Sequence, residues 1–219
     1  MSTHAKTTRV ILIDDHAIVR KGLASLLHAD SRYEVVAEAN DGEEALSRLE
    51  SVDADVAILD LSMPRLNGLE TLRRMAKQHP KTRTLVLSMY DDDQFVAQAL
   101  SDGAYGYILK QAMDDELFGA LDRVVQGKKY ISPAIDMERV EHRHLERADL
   151  TDREREVLQL IVEGHTTQSV ADMLSISPHT ATRHRANLMQ KLGVHTQMEL
   201  VRAASQRGLV VLPQPPLKG

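Results

Sequence analysis

Four short apolar runs in the first half of the chain each end on a side chain able to do chemistry: VILI runs into Asp14-Asp15, DVAIL into Asp60, TLVL into Ser88 and YGYIL into Lys110. If the strands that carry them are neighbours, the carboxylates crowd one patch and repel one another. The usual resolution is a hard divalent cation held through oxygen, which describes Mg²⁺. A hydroxyl and a lysine beside such a patch complete the set that phosphoryl transfer needs: a carboxylate nucleophile, a metal, and donors for the phosphoryl oxygens. Any one of these residues past a strand end is ordinary solvated loop; their joint occurrence at successive strand ends carries the information.

The elements that must position them alternate. Strand candidates are Val10–Asp14, Glu34–Glu38, Asp55–Asp60, Thr84–Ser88 and Tyr105–Lys110, separated by stretches with apolar residues at helical spacing, such as Leu69, Leu72 and Met75 or Leu117, Leu121 and Val124. Strict alternation predicts an α/β doubly wound domain, a flavodoxin-like (β/α)5 unit whose sites lie at the carboxyl ends of the strands. The strand order is taken from that fold type, not from this sequence.

A chain of 219 residues suits two compact domains. The texture changes after Gln126, so 8–127 is expected as the first domain, 128–148 as a charged, partly helical linker, and 149–212 as a small all-α domain. The absence of cysteine excludes disulfides and thiolate metal sites. Scarce aromatics, with no tryptophan and two phenylalanines, argue against a platform of stacked rings. No apolar run approaches the roughly 18 residues of a membrane span, and the start lacks a signal-peptide core, so the expectation is a cytoplasmic protein with no membrane contact. The net charge of −5 is uneven: no acid occurs between Asp172 and Glu199, where Arg183, Arg185 and Lys191 fall. That local basic face is a modest electrostatic sign of DNA binding.

From Leu150 on, apolar residues recur only at helical spacing. Thr151 with Glu154 predicts a capping box, Ser177-Pro178 an N-cap and first-turn proline, and Gly164 and Gly193 helix ends.

VILIDDH (10–16), ILDLSMPRLNGLE (58–70), LSMYDD (87–92) and GAYGYILK (103–110) resemble the receiver domain of two-component response regulators of the NarL/FixJ type. LTDREREVLQLIVEG, VADMLSIS and PHTATRHRANLMQKLGV resemble the LuxR-type helix-turn-helix. The resemblance implies that Asp60 is the phosphoacceptor, that Asp14 and Asp15 hold Mg²⁺ with Asp60 and the Ser62 backbone carbonyl, that Ser88 and Lys110 contact the phosphoryl group, and that Tyr107 is an aromatic switch. It also implies a histidine kinase as donor, promoter DNA as partner, a homodimer on that DNA through the last helix, and no enzymatic role beyond hydrolysis of its own aspartyl phosphate. Ser177–Leu192 is then the recognition helix, with Thr182, Arg183, Arg185 and Ala186 outward, Arg183 suited to a guanine edge, and Thr180 and Lys191 suited to phosphates. Phosphorylation is expected to swing Tyr107 inward and shift a closed state towards one that frees the recognition helix.

Two other readings compete with this one. A haloacid-dehalogenase-like phosphatase needs a second aspartate where Ser62 stands. A module that no longer binds DNA is suggested by Gln168, Ala181-Thr182 and Gln197, each at a place where the family commonly carries a cation or its usual pair. His142 and His144 are expected as solvated linker residues.

Overall fold

The computed structural model describes residues 7–63, 66–143, 150–207 and 209–210, without the side chains of 142–143. The side chain of His142, together with Pro64, His144 and the tail from Pro213, lies outside them.

The N-terminal unit runs β1 (Thr8–Ile13), α1 (Ala17–His28), β2 (Tyr33–Ala39), α2 (Gly42–Ser51), β3 (Val56–Asp60), α3 (Gly68–Gln78), β4 (Arg83–Ser88), α4 (Asp93–Ser101), β5 (Gly106–Leu109) and α5 (Met113–Val125). All neighbours in the sheet are parallel, in the order β2-β1-β3-β4-β5, with a further strand at the β5 edge. The two-residue period of a strand divides the apolar residues between two cores. Ile11, Ile13, Leu59 and Val86 join Leu49, Leu72, Met75 and Val96 on the side of α2, α3 and α4. Val10, Leu12, Ile58 and Leu85 join Leu23, Leu27, Leu117 and Leu121 on the side of α1 and α5. Each such aliphatic side chain, fully buried, contributes about 1.5–3 kcal/mol, so the sheet that aligns the site is held from both faces.

The further strand is a difference from the five-strand expectation. After α5, Gly127 takes φ +76 and turns the chain back. β6 (Tyr130–Ile131) then pairs in parallel with Gly106 and Tyr107, and the Ser132 amide donates to the Tyr107 carbonyl at 2.9 Å. α6 (Met137–Arg143) packs on α4, burying Ile135 and Val140 in the same core. The first part of the stretch expected as linker is thus built onto the sheet. Two residues of strand leave no periodicity to read, which is why the sequence concealed it.

The C-terminal unit is α7 (Asp152–Val162), α8 (Thr167–Met173), α9 (Pro178–Leu192) and α10 (Gln197–Gln206) around Leu158, Ile161, Val170, Leu188, Leu192 and Leu200. Thr151 and Glu154 form the capping box, Ser177 caps α9 with Pro178 in its first turn, and Gly193 ends α9 at φ +68. A second capping box, Thr196 with Glu199, starts α10.

The two units meet where α7 lies along α3. The Asn67 amide donates to Gln159 Oε1 at 2.9 Å, Arg73 and Lys77 reach Asp152 at 3.1 and 3.0 Å, and Arg74 pairs with Glu156. No helix among the described residues is long and apolar enough to cross a membrane.

Candidate functional site

Register explains how residues nearly a hundred positions apart come together. Ile13 is level with Leu59, Asp60 with Leu87, and Ser88 with Leu109. Asp14 therefore emerges beside Asp60, and Lys110 emerges one residue beyond Ser88. Lys110 Nζ is 2.8 Å from Asp14 Oδ2 and 2.8 Å from Asp60 Oδ2. The first contact is an aligned hydrogen bond; the second is an ion pair without that alignment.

Asp60 is 1% exposed and Asp14 2%, whereas Asp15 is half-buried. One lysine cannot neutralise two buried acids. Burial pushes the Asp60 carboxyl above its usual pKa, Lys110 pulls it back, and Asp14 adds to the rise. For Lys110, burial alone would depress the ammonium, but Asp60 and then Asp14 outweigh it and hold the pKa above its ordinary value. Asp60 Oδ1 and Asp15 Oδ1 accept no aligned hydrogen bond among the described residues. Buried carboxylate oxygens left in that condition are what a divalent ion with oxygen ligands would satisfy, and the donor set fits Mg²⁺.

The loop after Asp60 is held by close packing. A Cβ on Gly68 would lie 2.3 Å from the Asp60 carbonyl oxygen, so the start of α3 rests directly on the backbone of the central acid. That steric need, rather than freedom of the helix start, accounts for glycine there. Asn67 caps α3 through the Glu70 amide with its side-chain oxygen while its side-chain nitrogen reaches Gln159, so one residue joins the Asp60 loop to α7.

Ser88 is fully buried, and its hydroxyl accepts from the Tyr90 amide at 3.1 Å. Tyr107 is also fully buried, with its hydroxyl donating to the Tyr90 carbonyl at 2.7 Å. The inward position expected to follow phosphorylation is already taken in this structure, because the ring fills the core between β5 and α4. Ser62 follows Asp60 in the loop, half-buried.

One residue of the pocket went unread in the sequence: His16. Its Nδ1 lies 2.9 Å from Asp15 Oδ1 and 3.2 Å from Asp14 Oδ1, and the ligand atoms of Asp14, Asp15, His16 and Asp60 all fall within 4.8 Å of one another. Its position directly after the acid pair was the available signal.

On α9, Thr182, Arg183 and Ala186 are exposed, while Ala181, Leu188 and Leu192 are core. The other predicted contacts have partners within the domain. Thr180 shares a hydrogen bond with the Ser177 cap, Arg185 donates to Gln197 at 2.9 Å, and Lys191 meets Glu154 at 2.7 Å. The contacts between the units run through α3 and α7 and leave Thr182, Arg183 and Ala186 of α9 exposed.

Comparison with known proteins agrees with this geometry. Residues 10–122 match the response regulator receiver domain, and residues 148–204 match the luxR family of bacterial regulatory proteins. The chain is 42% identical over 193 residues to the transcriptional regulatory protein UhpA of Escherichia coli, covering 88% of this chain and 95% of that protein. It is 34% identical over 223 residues to DegU of Brevibacillus brevis, covering 92% and 94%. Among solved structures, RcsB from Salmonella enterica bound to the promoter rprA with phosphomimetic BeF3⁻ is similar at a TM-score of 0.66 and 28% identity, covering 91% of this chain and 99% of that one. A structure of two RcsB dimers bound to two parallel DNAs is similar at a TM-score of 0.59 and 29% identity, covering 91% and 98%. The chain therefore belongs to the NarL/FixJ family of two-component response regulators, phosphorylation-controlled DNA-binding transcriptional regulators in which a receiver domain precedes a LuxR-type helix-turn-helix.

Proposed function

We propose that Asp60 is the phosphoacceptor and that a sensor histidine kinase is the donor, acting in the cytoplasm. A carboxylate oxygen of Asp60 attacks phosphorus, the N–P bond of the kinase phosphohistidine breaks, and the imidazole leaves with the bonding pair. Lys110 exchanges its contacts to Asp14 and Asp60 for the incoming oxygens, and Ser88 turns its hydroxyl from the Tyr90 amide towards them. Mg²⁺, held by Asp14, Asp15, Asp60 and the Ser62 carbonyl, would offset the charge of the acids and of the phosphoryl group. The observation that carries this proposal is the single ammonium 2.8 Å from two buried carboxylates at adjacent strand ends.

The units act as residues 8–127 and 149–212, joined by 128–148, whose first part packs on the receiver. Release of the Tyr107 hydroxyl from Tyr90 serves as the switch. On α9, Arg183 reads a guanine edge, with Thr182 and Ala186 beside it. Thr180 and Lys191 meet phosphates, Lys191 after leaving Glu154, and Arg185 does so after leaving Gln197. Dimers form through α10, where Met198 is 83% exposed, as RcsB dimers bind DNA. Since α9 is already exposed, phosphorylation acts by setting how two copies are held on two half-sites rather than by uncovering a helix.

The test is DNA binding by the full chain at several salt concentrations, with and without acetyl phosphate and Mg²⁺. Phosphorylation should tighten binding by about 5–150-fold, the range of a typical allosteric coupling, with log affinity falling as log salt rises. An Asp60→Asn protein should show the salt slope but none of the gain. An equal gain in that variant would overturn the assignment.

A further inference from the structure

We propose that His16 is a direct ligand of the metal in the acid pocket and biases that site towards divalent transition ions such as Mn²⁺ over Mg²⁺, an assignment that rests on the pocket being the metal-assisted phosphoacceptor site above. His16 occupies the N-cap of α1 with extended backbone, yet its side chain makes no capping hydrogen bond. Ser, Thr, Asp and Asn serve that position better, because their short side chains accept from the helix amides. The imidazole is turned instead to the acids. The His16 backbone amide donates to Asp14 Oδ1 at 2.7 Å while Nδ1 stands 3.2 Å from that oxygen and 2.9 Å from Asp15 Oδ1.

Those spacings suit a shared ion. With bonds of about 2.1 Å, an octahedral ion sets adjacent donors about 3.0 Å apart and opposite donors about 4.2 Å apart. The donors of Asp14, Asp15, His16 and Asp60 lie within 4.8 Å of one another, so small side-chain adjustments bring all four to one centre. A second observation points to the same ligand. Asp60, 1% exposed, presents Oδ1 with no aligned partner among the described residues, and the 2.8 Å contact of Lys110 is to its other oxygen, Oδ2. The His16 side chain is 36% exposed, which leaves room for water at the one position not taken by these four residues and the Ser62 carbonyl.

The chemistry of the donors then sets the preference. Three carboxylates suit Mg²⁺ and Mn²⁺ alike. An imidazole nitrogen is a poor donor for hard Mg²⁺ and a good one for first-row transition ions, whose affinities rise along the series from Mn²⁺ to Cu²⁺. Lys110 meets Asp14 through Oδ2 and His16 faces Oδ1 of the same carboxylate, and the imidazole is the more exposed of the two, at 36% against 13%.

The experiment titrates Mn²⁺ and, separately, Mg²⁺ into the unphosphorylated full chain, and records pulsed electron paramagnetic resonance on the Mn²⁺ form. A directly bound nitrogen-14 should modulate the wild-type signal and vanish in both His16→Ala and His16→Asn, the latter supplying a side chain suited to the N-cap. Loss of the imidazole should lower the Mn²⁺-over-Mg²⁺ affinity ratio by about tenfold or more, while Mg²⁺ affinity moves by less than about twofold. Mn²⁺ bound without nitrogen coupling, or an unchanged ratio in both variants, would overturn the role of His16 and leave the acid site standing. If Asp15→Asn alters the affinity of neither ion, the pocket is not the metal site and both assignments fall.

Discussion

Replacing Lys110 with methionine keeps most of the side-chain length and removes the one cation between Asp14 and Asp60. The lysine side chain is 13% exposed, the acids 3% and 1%, and both contacts are 2.8 Å. Such a triad is effectively buried, and removing one partner of a buried ion pair costs about 3–5 kcal/mol because the remaining charge loses its compensation. In a protein of this size each kcal/mol lowers the melting temperature by about 2–4 °C, so the receiver transition should fall by about 6–20 °C in metal-free buffer. Mg²⁺ at about 100 times its Kd stabilises a native site by about 2.7 kcal/mol, and the variant should gain more than the parent because its acids lack any other cation. Adding Asp60→Asn removes one of the stranded charges, and the double variant should be more stable than Lys110→Met alone. Calorimetry on the parent, the two single variants and the double variant, with and without Mg²⁺, measures all of this. A Lys110→Met cost below about 1 kcal/mol, or equal Mg²⁺ gains in parent and variant, would refute the coupling of these three residues.

Between the units, Glu156→Arg sets like charges face to face with Arg74 and should separate α3 from α7; adding Arg74→Glu should restore contact, as read by distance measurements between spin labels on α2 and α10, and no change in the first variant would count against the contact. The same distances should depend on pH in a known direction. The Lys77 ammonium, then the Arg73 guanidinium, hold the Asp152 carboxyl below its ordinary pKa. Its contribution to docking is therefore complete above the unfolded carboxylate value of about 3.9 and lost as pH falls through the depressed folded value; Asp152→Asn should flatten that step. On DNA, Arg183→Ala should cost about 1–3 kcal/mol and relax preference at one base position, whereas Lys191→Ala should weaken all sequences alike and reduce the salt slope, both read from mobility shifts on mutated half-sites.

Most of the pocket was legible because Asp14, Asp60, Ser88 and Lys110 each end an apolar run of the right length, and parallel strands in register carry such ends to one edge; His16, two residues past Asp14, had no such signal. Asp14, Asp60, Ser88 and Lys110 needed no knowledge of side-chain contacts to be grouped. Caps were equally open to reading, since Thr151 with Glu154 and Ser177 with Pro178 act over three residues. What escaped depends on distant partners. Lys191 belongs to the basic face by spacing, yet Glu154, 37 positions earlier, holds it in the structure. Asn67 lies inside a motif read for Asp60, and its amide finds Gln159 only once two units meet. Tyr130–Ile131 is too short to show a period, and its strand exists because Gly106 and Tyr107 offer an open edge.

Trapping the aspartyl phosphate tests the whole mechanism most directly. The chain is treated with acetyl phosphate and Mg²⁺, reduced with borohydride to convert the phosphorylated aspartate to homoserine, digested, and mapped by mass spectrometry. Conversion is predicted at residue 60 alone. Homoserine at Asp14, Asp15 or Asp55, or phosphate retained on a histidine with residue 60 unconverted, would contradict it.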